Sequence, residues 1–279
     1  MVKEIRVILV EDDFYARNWM EMLLRRDWRT KVVGDAGNPV ALSILLKEMQ
    51  THEERADLIL IDTDIPYNNN WLSEALDSLL KHSPKAAVLF TGVTASNQIA
   101  RLRAQPNFAG FILKDEIRYA LAWAVSLAAE GHTIITPGVC DSFENTNPLP
   151  RGTLILDGRN PIARFSKRDT EAARLAFMFS MERRDLADEL EISEDYSYGL
   201  VSSLYEKMGL NDVLKGDVDP EQYFGNHPAV KAHLKQAFET IQKVDAKKAT
   251  SKKNQSKKIK DKETLAFHLL TLPYIEEIF

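Results

Sequence analysis

Short, nearly unbroken apolar runs alternate with longer stretches of helical periodicity through the first half of the chain. The runs fall at residues 5–10, 31–36, 58–61, 86–90 and 110–113. Each has the length of a strand. The first, third and fourth are apolar almost throughout, the mark of strands covered on both faces of a parallel sheet. Helical patterns at 14–27, 39–50, 71–82, 95–103 and 118–130 separate them, and Trp19, Met22 and Leu23 recur at helical spacing in the first. Five strands alternating with five helices predict an α/β domain over residues 1–140: a doubly wound, five-stranded parallel sheet of the flavodoxin-like kind. The pattern then changes. Residues 142–150 are rich in Asn, Pro and Ser and read as a linker. Residues 153–156 and 162–165 flank Asp157-Gly158-Arg159-Asn160, so a β-hairpin is expected within a linker spanning 141–165. From Ser166 to Leu210 the pattern is purely helical, with stops near Ser180 and at Gly209. Pro228 begins a further helix with the stripe Val230, Leu234, Phe238 and Ile241, which extends an all-α domain over 166–242.

Composition narrows the class of protein. The 279 residues carry 36 Lys+Arg against 41 Asp+Glu, a formal net charge of −5, with 44% hydrophobic and 28% charged residues. That is ordinary for a globular protein of about two domains. The one cysteine, Cys140, excludes an internal disulfide framework and a Cys-based zinc site, and suits a reducing compartment. No apolar run approaches the ~20 residues needed to cross a bilayer, and the N-terminus lacks a signal-peptide layout. A cytoplasmic protein without membrane partners is expected. The charge is unevenly spread: residues 243–262 hold nine Lys against two Asp, which predicts a flexible, disordered segment before a short apolar end at 265–279.

The candidate chemistry lies at the carboxyl ends of the predicted strands, which converge on one rim in a doubly wound sheet. Glu11, Asp12 and Asp13 follow the first strand, Asp62 ends the third, Thr91 ends the fourth and Lys114 the fifth. Carboxylates gathered at one rim repel one another, and Mg²⁺ relieves that repulsion through oxygen ligation. One carboxylate can attack phosphorus and form an acyl phosphate. A hydroxyl and an ammonium can hold the remaining phosphoryl oxygens.

Four segments carry a resemblance to the receiver domain of two-component response regulators: Val10-Glu11-Asp12-Asp13, Ile61-Asp62 through Pro66, Thr91-Gly92, and Gly110-Phe111-Ile112-Leu113-Lys114-Asp115. The resemblance spans about residues 3–140. It implies that Asp62 is the phosphoacceptor, that Glu11 and Asp12 form the acidic pair, and that Asp12, Asp62 and the Asp64 backbone carbonyl ligate Mg²⁺. It also implies that Thr91 and Phe111 switch together and that Lys114 pairs with the phosphoryl group. Phosphorylation would then remodel the face around the fourth and fifth helices and shift association toward a homodimer. The loop after Pro66 departs from the family: Tyr67-Asn68-Asn69-Asn70 stand where glycines are usual.

In the helical half, Ser166 is an expected N-cap, 183–190 a short helix, 191–193 a tight turn, and 194–208 a third helix ended by Gly209. This region resembles the LuxR/NarL-type helix-turn-helix output domain, best in 185–193 and 202–210. The resemblance implies a non-enzymatic regulator of transcription that takes phosphate from a sensor histidine kinase and binds DNA. Arg183, Arg184, Tyr196, Ser197, Tyr198 and Lys207 are the candidate contacts. The third helix lacks the basic residue and histidine usual there and carries Tyr196-Ser197-Tyr198-Gly199-Leu200. Residues 165–215 hold seven Lys/Arg against eleven Asp/Glu, a poor surface for phosphate neutralisation. Two outcomes are open: the 243–262 lysines supply the missing charge, or the helix-turn-helix serves as a phospho-gated protein-interaction adaptor.

Overall fold

The computed structural model describes residues 4–66, 70–93, 99–144, 149–158, 165–215, 227–249 and 255–278. It forms two compact units: residues 1–159 with 273–279, and residues 160–272.

The first unit begins β1 (Ile5–Val10), α1 (Phe14–Arg26), β2 (Thr30–Ala36), α2 (Pro39–Thr51), β3 (Leu58–Asp62), α3 (Trp71–His82), β4 (Ala87–Gly92), α4 (Ile99–Arg103) and β5 (Phe108–Leu113). The apolar strand runs are buried because helices cover both sheet faces, and β3 has no exposed residue at all. Helix starts follow local chemistry. Asp13 caps α1 by accepting the Ala16 N–H, and Asn38 caps α2 immediately before Pro39. The expected fourth helix is described from Ile99; its residues 95–98 lie outside the described residues, as do 67–69 of the asparagine loop. The expected fifth helix is broken. A single turn, α5 (Lys114–Ile117), ends where Arg118 takes a left-handed φ of 43°, and a 3₁₀ turn leads into α6 (Leu121–Ala129).

The sheet has eight strands where five were expected, in the order β2-β1-β3-β4-β5-β6-β7-β8. The additions are β6 (Ile134–Ile135) and, after α7 (Pro137–Glu144), β7 (Leu154–Asp157), both parallel; β8 (Tyr274–Glu277) is antiparallel to β7. Gly110 is required where β6 joins: its φ is +140°, and a β-carbon there would overlap the Ile134 carbonyl oxygen. The first arm of the expected hairpin forms β7, whose two edges are taken by β6 and β8. Phe165 is not in a strand, and 159–164 lie outside the described residues.

The second unit is all helical: α8 (Lys167–Ala173), a π-helical turn (Arg174–Met178), α9 (Arg183–Glu189), α10 (Glu194–Lys207), α11 (Leu210–Lys215), α12 (Pro228–Ala249) and α13 (Gln255–Leu270). Ser166 and Asp169 form a reciprocal capping box on α8. Ser180 adopts φ 51° at the expected stop. The flexible tail is corrected. α12 and α13 cover the lysine run apart from 250–254, which lie outside the described residues. The run is anchored at both ends by burial: Val230, Leu234 and Phe238 before it, Leu265, Ala266 and Phe267 after it. Lysine is itself a good helix former. Residues 243–279 are therefore not one segment, because α13 packs within the second unit and β8 completes the sheet of the first.

Candidate functional site

The strand order 2-1-3-4-5 places a crevice beyond the carboxyl ends of β1 and β3, where the winding direction reverses. Glu11 and Asp12 leave β1 on that rim and Asp62 closes β3 beside them. Carboxylate oxygens of Glu11, Asp12 and Asp62 all lie within 4.8 Å of one another. Asp13 is set apart from the three by its work as the α1 cap. β5 delivers Lys114 to the same point. Its ammonium lies 2.8 and 3.0 Å from the two Glu11 oxygens and 3.1 Å from Asp62 Oδ2. Thr91 stands one residue from the end of β4 at 1% exposure, and Phe111 is fully buried.

Two loops are clipped together across the crevice. Both the N–H and the hydroxyl of Thr63 donate to the Thr91 carbonyl, at 2.9 and 3.1 Å. Asp64 donates its own N–H to Asp62 Oδ1 at 3.3 Å, and its carboxylate accepts the Val93 N–H at 2.5 Å. The sequence pointed to the Asp64 carbonyl, not to this role for its carboxylate. Arg17, also unforeseen, donates to the Glu11 carbonyl at 2.6 Å and pairs with Asp35.

Burial dominates the electrostatics. It pushes the Glu11 carboxyl up to about 7, reinforced by the charge of Asp62 and opposed by the hydrogen bond from Lys114. Asp62 is raised for the same first reason, with Lys114 opposing. Burial acts to lower Lys114, but the hydrogen bond to Glu11 and the charges of Asp62 and Glu11 outweigh it and leave the ammonium raised. The Thr91 hydroxyl is buried without a hydrogen-bond partner. An unpartnered hydroxyl beside the carboxylates of Glu11, Asp12 and Asp62 fits an incoming oxyanion with a hard divalent cation at its side.

A pH dependence follows. The folded unit holds the Glu11 proton more tightly than the unfolded chain, so stability falls as pH rises from about 4.5 to about 7. The full loss from this residue is about 3 kcal/mol. All four tryptophans lie in the first unit, so denaturation followed by their fluorescence reads this unit alone. Metal-free Glu11→Gln should show a flatter profile across that window, and a slope equal to the parent's would remove Glu11 as its source.

In the second unit α9, a turn with Glu191 at φ 53°, and α10 form a helix-turn-helix around Leu186, Ala187, Val201 and Leu204. The expected groove residues separate. Arg184, Tyr196 and Tyr198 are exposed. Ser197 is fully buried, its hydroxyl on the Arg183 and Glu194 carbonyls at 3.0 and 2.7 Å, so it faces the helix pair and not a groove. Arg183 pairs with Glu263 of α13 at 3.0 Å, and Lys207 pairs with Asp169 at 2.7 Å.

No family model matches the chain. The transcriptional regulatory protein DegU of Brevibacillus brevis is 23% identical over 219 residues, 75% of this chain and 89% of that protein. Protein-glutamate methylesterase/protein-glutamine glutaminase 3 of Burkholderia thailandensis is 29% identical over 117 residues, 42% of this chain and 31% of that protein. Among solved structures, the receiver domain of the putative response regulator NarL from Mycobacterium tuberculosis shares 23% identity, with 47% of this chain and 99% of that chain covered and a TM-score of 0.38. The relationship to DegU runs through both units, and each unit carries its expected elements, the acidic rim in one and the helix-turn-helix in the other. In both its acidic rim and its helix-turn-helix the chain thus resembles a two-component response regulator, a receiver domain followed by a LuxR/NarL-type output domain.

Proposed function

We propose that this chain is a cytoplasmic response regulator that takes a phosphoryl group on Asp62 from a sensor histidine kinase and controls transcription by binding DNA as a homodimer. It acts as a regulator and not as an enzyme. The observation that carries this reading is the meeting of Asp62, Glu11, Asp12 and Lys114 at one rim. An Asp62 oxygen attacks phosphorus, the bond from phosphorus to the donor imidazole nitrogen breaks, and the imidazole leaves. Lys114 and the Thr91 hydroxyl hold the phosphoryl oxygens. Asp12, Asp62 and the Asp64 carbonyl would hold Mg²⁺, with Glu11 beside them; when bound, the ion supplies positive charge against the phosphoryl oxygens. Thr91 and Phe111 then move together and favour the dimer. Among the described residues no helix is long and apolar enough to cross a membrane.

The second reading, a phospho-gated adaptor that does not touch DNA, is favoured by one observation. The exposed residues of α10 include Glu194, Asp195, Tyr198 and Glu206, with no cation among them. Titration of the full chain against genomic DNA fragments at two salt concentrations, with and without beryllofluoride, separates the two. DNA control requires affinity that rises with beryllofluoride and falls steeply with salt. No measurable affinity at low salt would leave the adaptor.

A further inference from the structure

The turn that carries Lys114 is bonded to the segments that follow the added strands β6 and β7. Glu116, two residues beyond Lys114, accepts the Gly138 N–H on both carboxylate oxygens, at 3.1 and 2.9 Å. Its backbone carbonyl accepts the Gly158 N–H at 2.9 Å. The Leu113 N–H is held by the Thr136 hydroxyl at 3.0 Å. There is no slack at Gly158: a β-carbon there would overlap the Ile117 carbonyl oxygen. Gly158 directly follows Asp157, which pairs with Tyr274 at the end of the β7–β8 ladder. The far end of that ladder is closed by Gly152 and Ile278 at 2.8 Å and by Ile278 and Thr153 at 3.0 Å. Both chain crossings into the second unit therefore leave from the end of the ladder that Glu116 grips, one after Asp157 and one before Tyr274.

We propose that the Lys114–Ile117 turn carries the state of the acidic rim to the β7–β8 ladder, with Glu116 as the positioning residue between them. This rests on the phosphoacceptor reading. A phosphoryl group on Asp62 offers Lys114 new oxygens and draws it from Glu11. Lys114 opens a single helical turn, too short to absorb its displacement. Glu116 passes the shift to Gly138 and Gly158, and close packing at Gly158 converts it into rearrangement of the ladder. The second unit, held by adjacent strands of that ladder, receives the signal at both of its chain ends at once.

Hydrogen exchange of the full chain, with and without beryllofluoride and Mg²⁺, tests this. In the parent, peptides holding Asp62 and Thr91 should gain protection, and peptides covering 150–158 and 273–278 should change exchange rate by roughly threefold or more. Glu116→Ala should keep the response at Asp62 and Thr91 and lose most of the response in the ladder, because only the backbone bond to Gly158 remains. If Glu116→Ala does not fold by tryptophan fluorescence, Glu116→Gln, which keeps one acceptor oxygen for Gly138, should lose part of the ladder response. A parent that responds at the rim but not in the ladder overturns the proposal, as does an undiminished ladder response in either Glu116 variant. A parent with no response at the rim removes the phosphoacceptor reading itself, and the proposal with it.

Discussion

Asp62→Ala is expected to abolish acyl-phosphate formation completely while leaving the first unit folded. Three acidic neighbours are otherwise engaged. Asp13 is engaged as the cap of α1, and the Asp64 carboxylate is engaged by the Val93 N–H. Glu11 is buried, paired with Lys114 and raised to about 7, which makes it a poor nucleophile near neutrality. The alanine also removes a carboxylate that burial disfavours, and Lys114 keeps Glu11 as its partner. The parent, treated with a small phosphodonor and Mg²⁺, should gain one hydroxylamine-labile phosphoryl group by intact mass. Peptide mapping of that group to Asp13 or Asp64, or labelling retained in Asp62→Ala, would refute the assignment.

The largest stability effect is expected at Asp27. Its carboxylate pairs with Arg29 at 2.7 Å, and the two side chains are 0% and 2% exposed. The Arg29 guanidinium lies 4.1 Å above the Trp123 ring. Asp27→Ala leaves that cation buried without its carboxylate, at a cost of about 3–5 kcal/mol. Asp27→Ala with Arg29→Met should be less damaging than Asp27→Ala alone, because the stranded charge is gone. Urea denaturation followed by tryptophan fluorescence reports on the right unit, and Trp123 reads the change locally. A double variant as unstable as the single one would mean that packing, not charge, sets the cost.

The first five strands were legible because burial on both faces leaves almost no polar residue in runs such as Leu58–Asp62. The acidic rim was legible because strand ends in this sheet order converge, so position along the chain dictated position in space. β6 was invisible for the opposite reason: Ile134 and Ile135 are too few to show a period. β8 was hidden inside an apolar end whose first part is the close of α13. The lysine run misled because its composition says nothing of the buried Phe238 and Phe267 on either side. Ser197 and Arg183 misled because solvent-facing and inward positions of a short helix differ by one residue. The partners that occupy them, the Glu194 carbonyl and Glu263, depend on packing.

The return of β8 also imposes an order on synthesis. β7 leaves the ribosome before residues 160–272, and β8 only after them. At translation rates of about 5–20 residues per second, the nascent sheet waits on the order of ten seconds for its last strand. Throughout that interval β7 presents unpaired backbone groups, a template for another nascent chain. The helical unit has time to fold inside a loop not yet closed. Closing the sheet then waits on synthesis of the whole second unit, and a chain cut short before Pro273 would carry that unit with the β7 edge of the first left open.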